Sequence, residues 1–175
     1  MLEFRTNEIK NICLIGLMGS GKSVLGRELS KYYKLDFFDT DNEIEKETNK
    51  SIETIFKDYG EAYFRKIEES VCLKVLKYSK CIISLGGGSI TNLKIRNLVK
   101  KNSYSIYLKV DNNILIKRLK NSKKRPLLKN IDKKFVIEKL YNERKKFYNI
   151  ANLVVENNFD KKDIISKIII EINKI

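Results

Sequence analysis

The sequence contains no histidine, and among its 175 residues there are three cysteines and a single proline. Without histidine, any proton transfer by this protein must use a carboxylate, a lysine, a tyrosine or a thiol. The odd number of cysteines argues against a disulfide framework, and no second cysteine or histidine lies nearby to complete a metal site. We therefore expect Cys13, Cys72 and Cys81 to be buried, reduced thiols.

Long apolar runs are also missing. None approaches the ~20 residues that cross a bilayer, and the N-terminal stretch MLEFRTNEIK has no apolar segment of the signal-peptide type. The sequence therefore predicts a cytoplasmic protein without a membrane partner.

The net charge is +14, from 36 Lys and Arg against 22 Asp and Glu. A strongly basic chain invites a nucleic-acid interpretation. The excess, however, is mostly lysine spread along the whole chain, and no basic motif interleaved with aromatic residues is present. We expect no nucleic-acid partner, although the charge can attract anionic substrates.

Short apolar runs alternate with helical patterns along the chain. Strands are predicted over residues 11–15, 35–39, 81–85, 104–110 and 152–157. Helices are predicted over 23–33, 52–59, 61–78, 92–101, 112–120 and 133–149, and over a C-terminal segment that carries Ile164, Ile168 and Ile172 on one face. Ser51 is the expected N-cap of the helix over 52–59, and Gly60 is expected to end it. Residues 121–132 are polar and basic and are expected to form an exposed loop. This alternation predicts one α/β domain over residues 1–175, a five-stranded parallel sheet between two helical layers.

The segment GLMGSGKS at 16–23 fits the phosphate-binding loop G-x-x-x-x-G-K-[ST] and lies between a predicted strand and a predicted helix, as that motif requires. Its glycines let backbone N–H groups curl around phosphate oxygens. Lys22 supplies charge to the β- and γ-phosphates, and Ser23 offers a hydroxyl to Mg²⁺. A glycine-rich turn without a ligand is the alternative. The N-K-x-D motif of GTPases is absent, and the small size with a basic, lid-like loop favours a small-molecule kinase.

Two carboxylates close the second predicted strand in DTD, residues 39–41. Carboxyl ends of parallel strands share one sheet edge with the phosphate loop. Asp41 is our candidate for accepting or orienting the proton of an acceptor hydroxyl, and Asp39 for the shell of the metal ion; the alternative is that one of them caps the next helix. Arg65, Arg125 and Arg144 could each, taken alone, be surface charges.

Six ordered segments across roughly residues 10–165 resemble the shikimate kinase family: GLMGSGKSVLGRELS, FFDTDNEIE, SIETIFKDYGEAYFRKIEE, SLGGGSI, RPLL and ERKKFY. The resemblance implies a fold of the P-loop kinase type with a substrate-binding segment at about 41–68 and a mobile lid at about 119–133. It also implies transfer of the γ-phosphate of ATP to the 3-hydroxyl of shikimate, with Mg²⁺ as cofactor. A monomer is expected, with ATP and shikimate as small-molecule partners.

The resemblance also assigns roles to residues. Asp41, Lys22 and Arg125 are the expected catalytic residues, and Ser23 and Asp39 the expected metal ligands. ATP is expected to contact Gly19, Ser20, Gly21, Lys22, Ser23, Val24, Arg118 and Arg125, with Arg118 stacked on the adenine. Shikimate is expected to contact Asp41, Gly86, Gly87, Gly88, and, through its carboxylate, Arg65 and Arg144. The three consecutive glycines, which alone could be a linker or a turn, are thus expected to form the floor of the acceptor pocket.

Two features depart from common patterns. The third strand ends in Ser84 rather than in the aspartate that usually closes a Walker B strand, a substitution that the family shares. The adenine-binding segment near NNFDKKD does not align cleanly, so an adenine contact from Lys161 is not assigned. Two other functions remain open: a gluconate or nucleotide kinase of the same fold, and a catalytically silent binder of nucleotides or nucleic acids.

Overall fold

The computed structural model describes residues 10–119, 132–158 and 161–174. The strands are β1 (Asn11–Ile15), β2 (Asp36–Asp39), β3 (Cys81–Ser84), β4 (Ser103–Lys109) and β5 (Leu153–Glu156). The helices are α1 (Lys22–Tyr33), α2 (Thr40–Thr48), α3 (Ile52–Val75), α4 (Leu93–Asn102), α5 (Asn112–Leu119), α6 (Lys133–Tyr148) and α7 (Lys161–Ile172). One turn of 3₁₀ helix, Ser89–Thr91, follows β3.

The five strands form a single parallel sheet in the order β2-β3-β1-β4-β5. Every residue of the central strand β1 is buried. Its side chains alternate between two cores, with Ile12 and Leu14 on one face and Cys13 and Ile15 on the other. A strand covered on both faces is expected to be apolar throughout, which is why a short apolar run is enough to predict β1. The predicted strands agree with the observed ones to within one residue at each end.

Helices cover both faces of this sheet. On one face, α1 and α7 pack Leu25, Leu29, Ile164, Ile168 and Ile172 against the strands. On the other face, α3, α4 and α6 contribute to the larger core around Cys13 and Ile15. The predicted three-layer α/β architecture is therefore confirmed.

The segment between β2 and β3 differs from the sequence-based prediction in two ways. The prediction does not delimit the helix α2, although Asp39 caps its N-terminus and Asn49 ends it in the left-handed conformation (φ 51°). The predicted break at Gly60 is confirmed, because the non-helical backbone there divides α3 into the two predicted helices; the second one ends at Val75 and not at residue 78. Gly60 breaks its backbone at φ 79°, ψ 174°, a conformation that glycine adopts without steric cost.

The three cysteines are free and buried, as expected. Burial is the main cause that raises the pKa of Cys72 and of Cys81 to about 12, so the thiols stay protonated near neutral pH. Across the described ranges, each helix is too short or too polar to cross a bilayer.

Candidate active site

Loops that follow the carboxyl ends of the strands enclose a cleft of about 400 Å³. The phosphate loop lines it together with Asp39, Asp41, Gly86, Gly87, Arg118 and Asn157. A smaller recess of about 60 Å³ lies beside it, between α3 and α6. Met18, Asp41 and Gly87 line both cavities. The site therefore has two compartments that meet at these three residues.

The larger compartment is built around the phosphate loop. Gly21 takes the left-handed conformation (φ 92°) at the N-cap of α1, where no side chain caps the helix. The first backbone N–H groups of a helix lack partners inside it, and with the helix dipole they form an anion site. The Lys22 ammonium donates hydrogen bonds to the carbonyl oxygens of Gly16 and Leu17, both at 2.9 Å, and is largely buried. The lysine is thereby held over the loop that would receive phosphates.

Ser23 and Asp39 meet at the mouth of this compartment. The Ser23 hydroxyl donates a hydrogen bond to Oδ2 of Asp39. The other oxygen of Asp39 accepts from the backbone N–H of Asp41 at 3.1 Å and caps α2. The capping alternative is therefore correct for Asp39, and the same carboxylate also faces Ser23. This pair of hard oxygen donors suits a small divalent cation that keeps waters and binds substrate phosphates. Across the described residues, no three Asp, Glu, Cys or His side chains cluster to hold a metal alone.

Arg65 faces the recess from α3 between two carboxylates. Its Nη1 donates to Glu68 at 2.7 Å, and its Nε and Nη2 donate to Glu61 at 3.1 and 2.8 Å. Burial alone would lower the pKa of this guanidinium, but the charge of Glu68 and the hydrogen bonds that the guanidinium donates to both carboxylates outweigh it, so the pKa is raised. Glu68, which is 3% exposed, also accepts from the Ser89 hydroxyl at 2.8 Å. The guanidinium is thus fixed in place and strictly cationic.

Arg144 faces the same recess from α6 and is held differently. Only 7% of it is exposed, and the partner that the described residues supply is the phenol of Tyr148. A buried cation next to a neutral partner is stabilised by any anion that enters its site. The recess therefore presents two guanidinium groups, the kind of group that binds a carboxylate through parallel hydrogen bonds. Glu61 already occupies the Nε and Nη2 edge of Arg65, so Arg144 is the less compensated of the two.

The three glycines after β3 lie between Asp41, Arg65 and the phosphate loop. A Cβ at Gly86 would stand 2.6 Å from Oδ1 of Asp41, and a Cβ at Gly88 would stand 2.7 Å from Nη1 of Arg65. A Cβ at Gly87 would stand 3.1 Å from the backbone nitrogen of Met18. The run is glycine-rich because side chains and backbone of the site approach it closely, whereas positive φ angles occur at other glycines. It is neither a linker nor a simple turn.

Arg118 and Asn157 close the far end of the larger compartment. Arg118 donates through Nη2 to the carbonyl of Asn157 at 3.0 Å and through Nη1 to that of Gly19 at 3.4 Å. Asn157 donates through Nδ2 to the carbonyl of Ser20 at 2.7 Å. Half-exposed Val24 lines the same end. A residue from α5 and one that follows β5 thus brace the phosphate loop.

All of the predicted ATP-binding, metal and shikimate residues that the structure describes, except Ser20, line one of the two compartments. Ser20 is buried within the phosphate loop. Arg125, residues 120–131 of the predicted lid and residues 159–160 near the predicted adenine segment lie outside the described residues. Sequence reasoning missed four contributors: Glu61, Glu68, Tyr148 and Asn157. Glu61 and Glu68 stand four and three positions from Arg65 on one helix, a spacing at which side chains meet, so these two could have been found.

Known proteins resemble the chain over most of its length. The shikimate kinase family model matches residues 18–173. A shikimate kinase of Clostridium botulinum is 47% identical over 161 residues, 90% of this chain and 94% of that protein. One from Bartonella quintana is 38% identical over 159 residues, 91% of this chain and 76% of that protein.

Solved structures agree with these sequence matches. Shikimate kinase from Acinetobacter baumannii in complex with shikimate superposes with a TM-score of 0.91 at 31% identity, covering 95% of this chain and 94% of that one. A gluconokinase from Sinorhizobium meliloti, at a TM-score of 0.63 and 12% identity over 97% of this chain and 94% of that one, shares the fold alone. Taken with the two-compartment site, these matches establish that the chain belongs to the shikimate kinase family.

Proposed function

We propose that this protein transfers the γ-phosphate of ATP to the 3-hydroxyl of shikimate, giving ADP and 3-phosphoshikimate. The observation that carries the proposal is the recess that Arg65 and Arg144 both line, next to Asp41 and the phosphate loop. A neutral sugar would bring no anion to the buried Arg144, whose described partner is the neutral phenol of Tyr148. Shikimate brings a carboxylate for the arginines and hydroxyls for Asp41.

ATP occupies the larger compartment in this proposal. Backbone N–H groups of Gly19, Ser20 and Gly21 and the α1 N-terminus bind the β-phosphate in this proposal. The N–H of Ser20, which donates to the carbonyl of Leu17 at 3.2 Å, would change partner. Lys22 exchanges its carbonyl partners for phosphate oxygens and follows the charge that develops during transfer. Val24 and Arg118 border the nucleotide in this proposal, and the Arg118 guanidinium stacks on the adenine ring.

An ATP-dependent kinase works with a divalent metal ion, and we propose Mg²⁺ here. Ser23 and Asp39 would hold it, directly or through water, because their oxygens already share a hydrogen bond at the cleft mouth. The ion, when bound, neutralises charge on the β- and γ-phosphates.

Asp41 prepares the acceptor. Its carboxylate accepts a hydrogen bond from the 3-hydroxyl and takes the proton as the oxygen forms its bond to the γ-phosphorus, while the bond from that phosphorus to the β–γ bridging oxygen breaks and ADP leaves. Phosphoryl transfer needs alignment and charge neutralisation more than covalent chemistry. The carboxylate clamp of Arg65 and Arg144 supplies that alignment, and Gly86, Gly87 and Gly88 provide a floor without side chains on which the ring can lie.

Arg125 and the lid at about 119–133 complete the proposal. A lid arginine would add charge next to the transferred phosphate and exclude water, which competes as acceptor.

We further propose that residues 1–175 act as one domain, with 41–68 as the substrate-binding segment, and that the protein is a cytoplasmic monomer. The three buried, free thiols support a reducing compartment.

The test is a panel of acceptors offered with ATP and Mg²⁺: shikimate, gluconate and deoxyadenosine, with ADP release measured by a coupled assay. We expect turnover with shikimate and phosphorus NMR of the product to place the phosphate on the 3-oxygen. Turnover of gluconate or deoxyadenosine with none of shikimate would overturn the proposal. Nucleic-acid binding that weakens steeply with salt, together with no phosphoryl transfer, would favour the silent binder.

A further inference from the structure

Tyr148, at the end of α6, is the largest completely buried side chain near the site. Its ring is 0% exposed and stacks on Tyr107 with the ring centroids 5.0 Å apart and the planes 20° from parallel. Its hydroxyl donates a hydrogen bond of 2.6 Å to the carbonyl oxygen of Gly87. A phenol buried among apolar side chains needs such a partner. The partner here is a residue shared by the two compartments of the site.

Each residue of the glycine loop, Gly86–Gly88, has a backbone group that is hydrogen-bonded to a side chain. The N–H of Gly86 donates to the Thr40 hydroxyl at 2.9 Å, and the carbonyl of Gly88 accepts from the Thr91 hydroxyl at 2.8 Å. The first of these contacts spans 46 residues of sequence and the second spans 3. The Gly87 carbonyl is fastened from α6, across 61 residues of sequence. Because a peptide unit is planar, fixing this carbonyl also fixes the N–H of the next residue.

The same phenol is the neighbour of Arg144, one helical turn earlier on α6. Burial raises the pKa of Tyr148, and the charge and hydrogen bond of Arg144 offset only part of that rise, so the phenol stays neutral. A hydroxyl group has one proton to donate and lone pairs to accept with. Tyr148 gives its proton to Gly87, and its oxygen keeps lone pairs that the charge of Arg144 attracts.

We propose that Tyr148 is a positioning residue that fixes the position of the Arg144 guanidinium relative to the Gly87 peptide. Because Arg144 binds the carboxylate of the acceptor and Gly87 lies under its ring, both ends of the acceptor are then held in the correct relative position. The inference rests on the proposed function, since it concerns how the acceptor of that reaction is held. Tyr148 itself does not line either compartment and acts through Arg144 and Gly87.

The experiment compares Tyr148→Phe with Tyr107→Phe. Each variant removes one hydroxyl from a buried ring of the same stacked pair, but the ring of Tyr107 lacks the contact to Gly87. We expect Tyr148→Phe to raise the KM for shikimate about tenfold, from the loss of one hydrogen bond to a charged group. The KM for ATP should stay within twofold. Tyr107→Phe should leave both KM values within twofold.

A double-mutant cycle distinguishes a loss of positioning in Tyr148→Phe from a general structural defect in that variant. If Tyr148 acts through Arg144, the effect of Tyr148→Phe on the shikimate KM should largely vanish when Arg144 is already lysine. Additive effects in the cycle, equal losses for shikimate and ATP, or an unchanged shikimate KM in a folded Tyr148→Phe variant would each overturn the proposal.

The wild-type protein gives a second measurement that does not depend on the variant's folding. The hydrogen bond to Gly87 predicts a slowly exchanging Tyr148 hydroxyl proton, and its NMR shift should move when shikimate saturates the protein. A hydroxyl signal that saturating shikimate leaves unmoved would contradict the proposal. If the wild type phosphorylates a different acceptor, the proposed function fails; the same titration with that acceptor then tests the positioning role by itself.

Discussion

The two compartments of the site are built in different ways. The larger one is built around the consecutive residues 16–23, whose backbone carbonyls hold the Lys22 ammonium. The smaller one is assembled from separate segments, with Asp41 on α2, Arg65 on α3, Gly87 after β3 and Arg144 on α6. In the function proposed above, the first binds the nucleoside triphosphate and the second selects the acceptor.

The two arginines of the recess differ in how far neighbouring groups compensate their charge. Arg65 is held by the carboxylates of Glu61 and Glu68, so part of its charge is already compensated. Arg144 is more deeply buried and has a phenol as its described partner. We expect the less compensated arginine to contribute more to binding of an acceptor carboxylate.

The largest effect should come from the residue where the compartments meet. Asp41→Asn keeps the size of the side chain but cannot take a proton, so turnover should fall by about 10²–10⁴-fold, the usual contribution of a positioned base. ATP affinity, measured by calorimetry, should remain nearly unchanged because the phosphate loop is intact. Asp163→Asn, at an exposed position of α7, is the control. Wild-type turnover in Asp41→Asn would refute its role.

Replacing Arg65 and Arg144 separately by lysine compares how much each arginine contributes to binding of the acceptor carboxylate. Lysine keeps the charge but loses the paired hydrogen bonds, so the KM for shikimate should rise by an amount equivalent to about 1–3 kcal/mol. Arg144→Lys should lie at the upper end and Arg65→Lys at the lower end. Arg27→Lys, exposed on α1, should change nothing. Equal or reversed effects of the two recess variants would contradict the ordering.

A methyl group placed in the glycine loop should disturb one arginine specifically. In Gly88→Ala the new Cβ would stand 2.7 Å from Nη1 of Arg65, so the guanidinium must move and the shikimate KM should rise about tenfold. Gly60→Ala is the contrasting change, since φ is +79° there with open space around it. Strain of about 1–2 kcal/mol should lower its melting temperature, with the KM unchanged. A normal KM in Gly88→Ala would show that Arg65 is not needed in its observed place.

The smallest effect should have the opposite sign. Glu61 occupies Nε and Nη2 of Arg65, the edge that a substrate carboxylate would also use. Because this ion pair is largely exposed, it is worth about 0.2–1 kcal/mol, and Glu61→Gln should lower the shikimate KM by up to about fivefold. Glu171→Gln removes a surface pair of the same kind, with Lys174, and serves as the control. A raised KM in Glu61→Gln would mean that Glu61 helps to place Arg65 for the substrate.

The difference between the compartments also explains what the sequence could predict. The phosphate loop, the strands and the buried cysteines follow from short patterns, because local spacing alone defines them. Contacts that join distant segments carry no such pattern. The hydrogen bond from Asn157 to Ser20 spans 137 residues and the one from Tyr148 to Gly87 spans 61. Arg65 and Arg144 could be placed together in advance only through the family resemblance.

The central claim is that the recess selects its acceptor through a carboxylate held by two arginines. The most direct test compares kcat/KM for shikimate with that for its methyl ester, which keeps the ring and hydroxyls but lacks the charge. Because the ester cannot form the charge-assisted hydrogen bonds to either arginine, we predict a decrease of at least about 100-fold. Values within twofold of each other would contradict the claim.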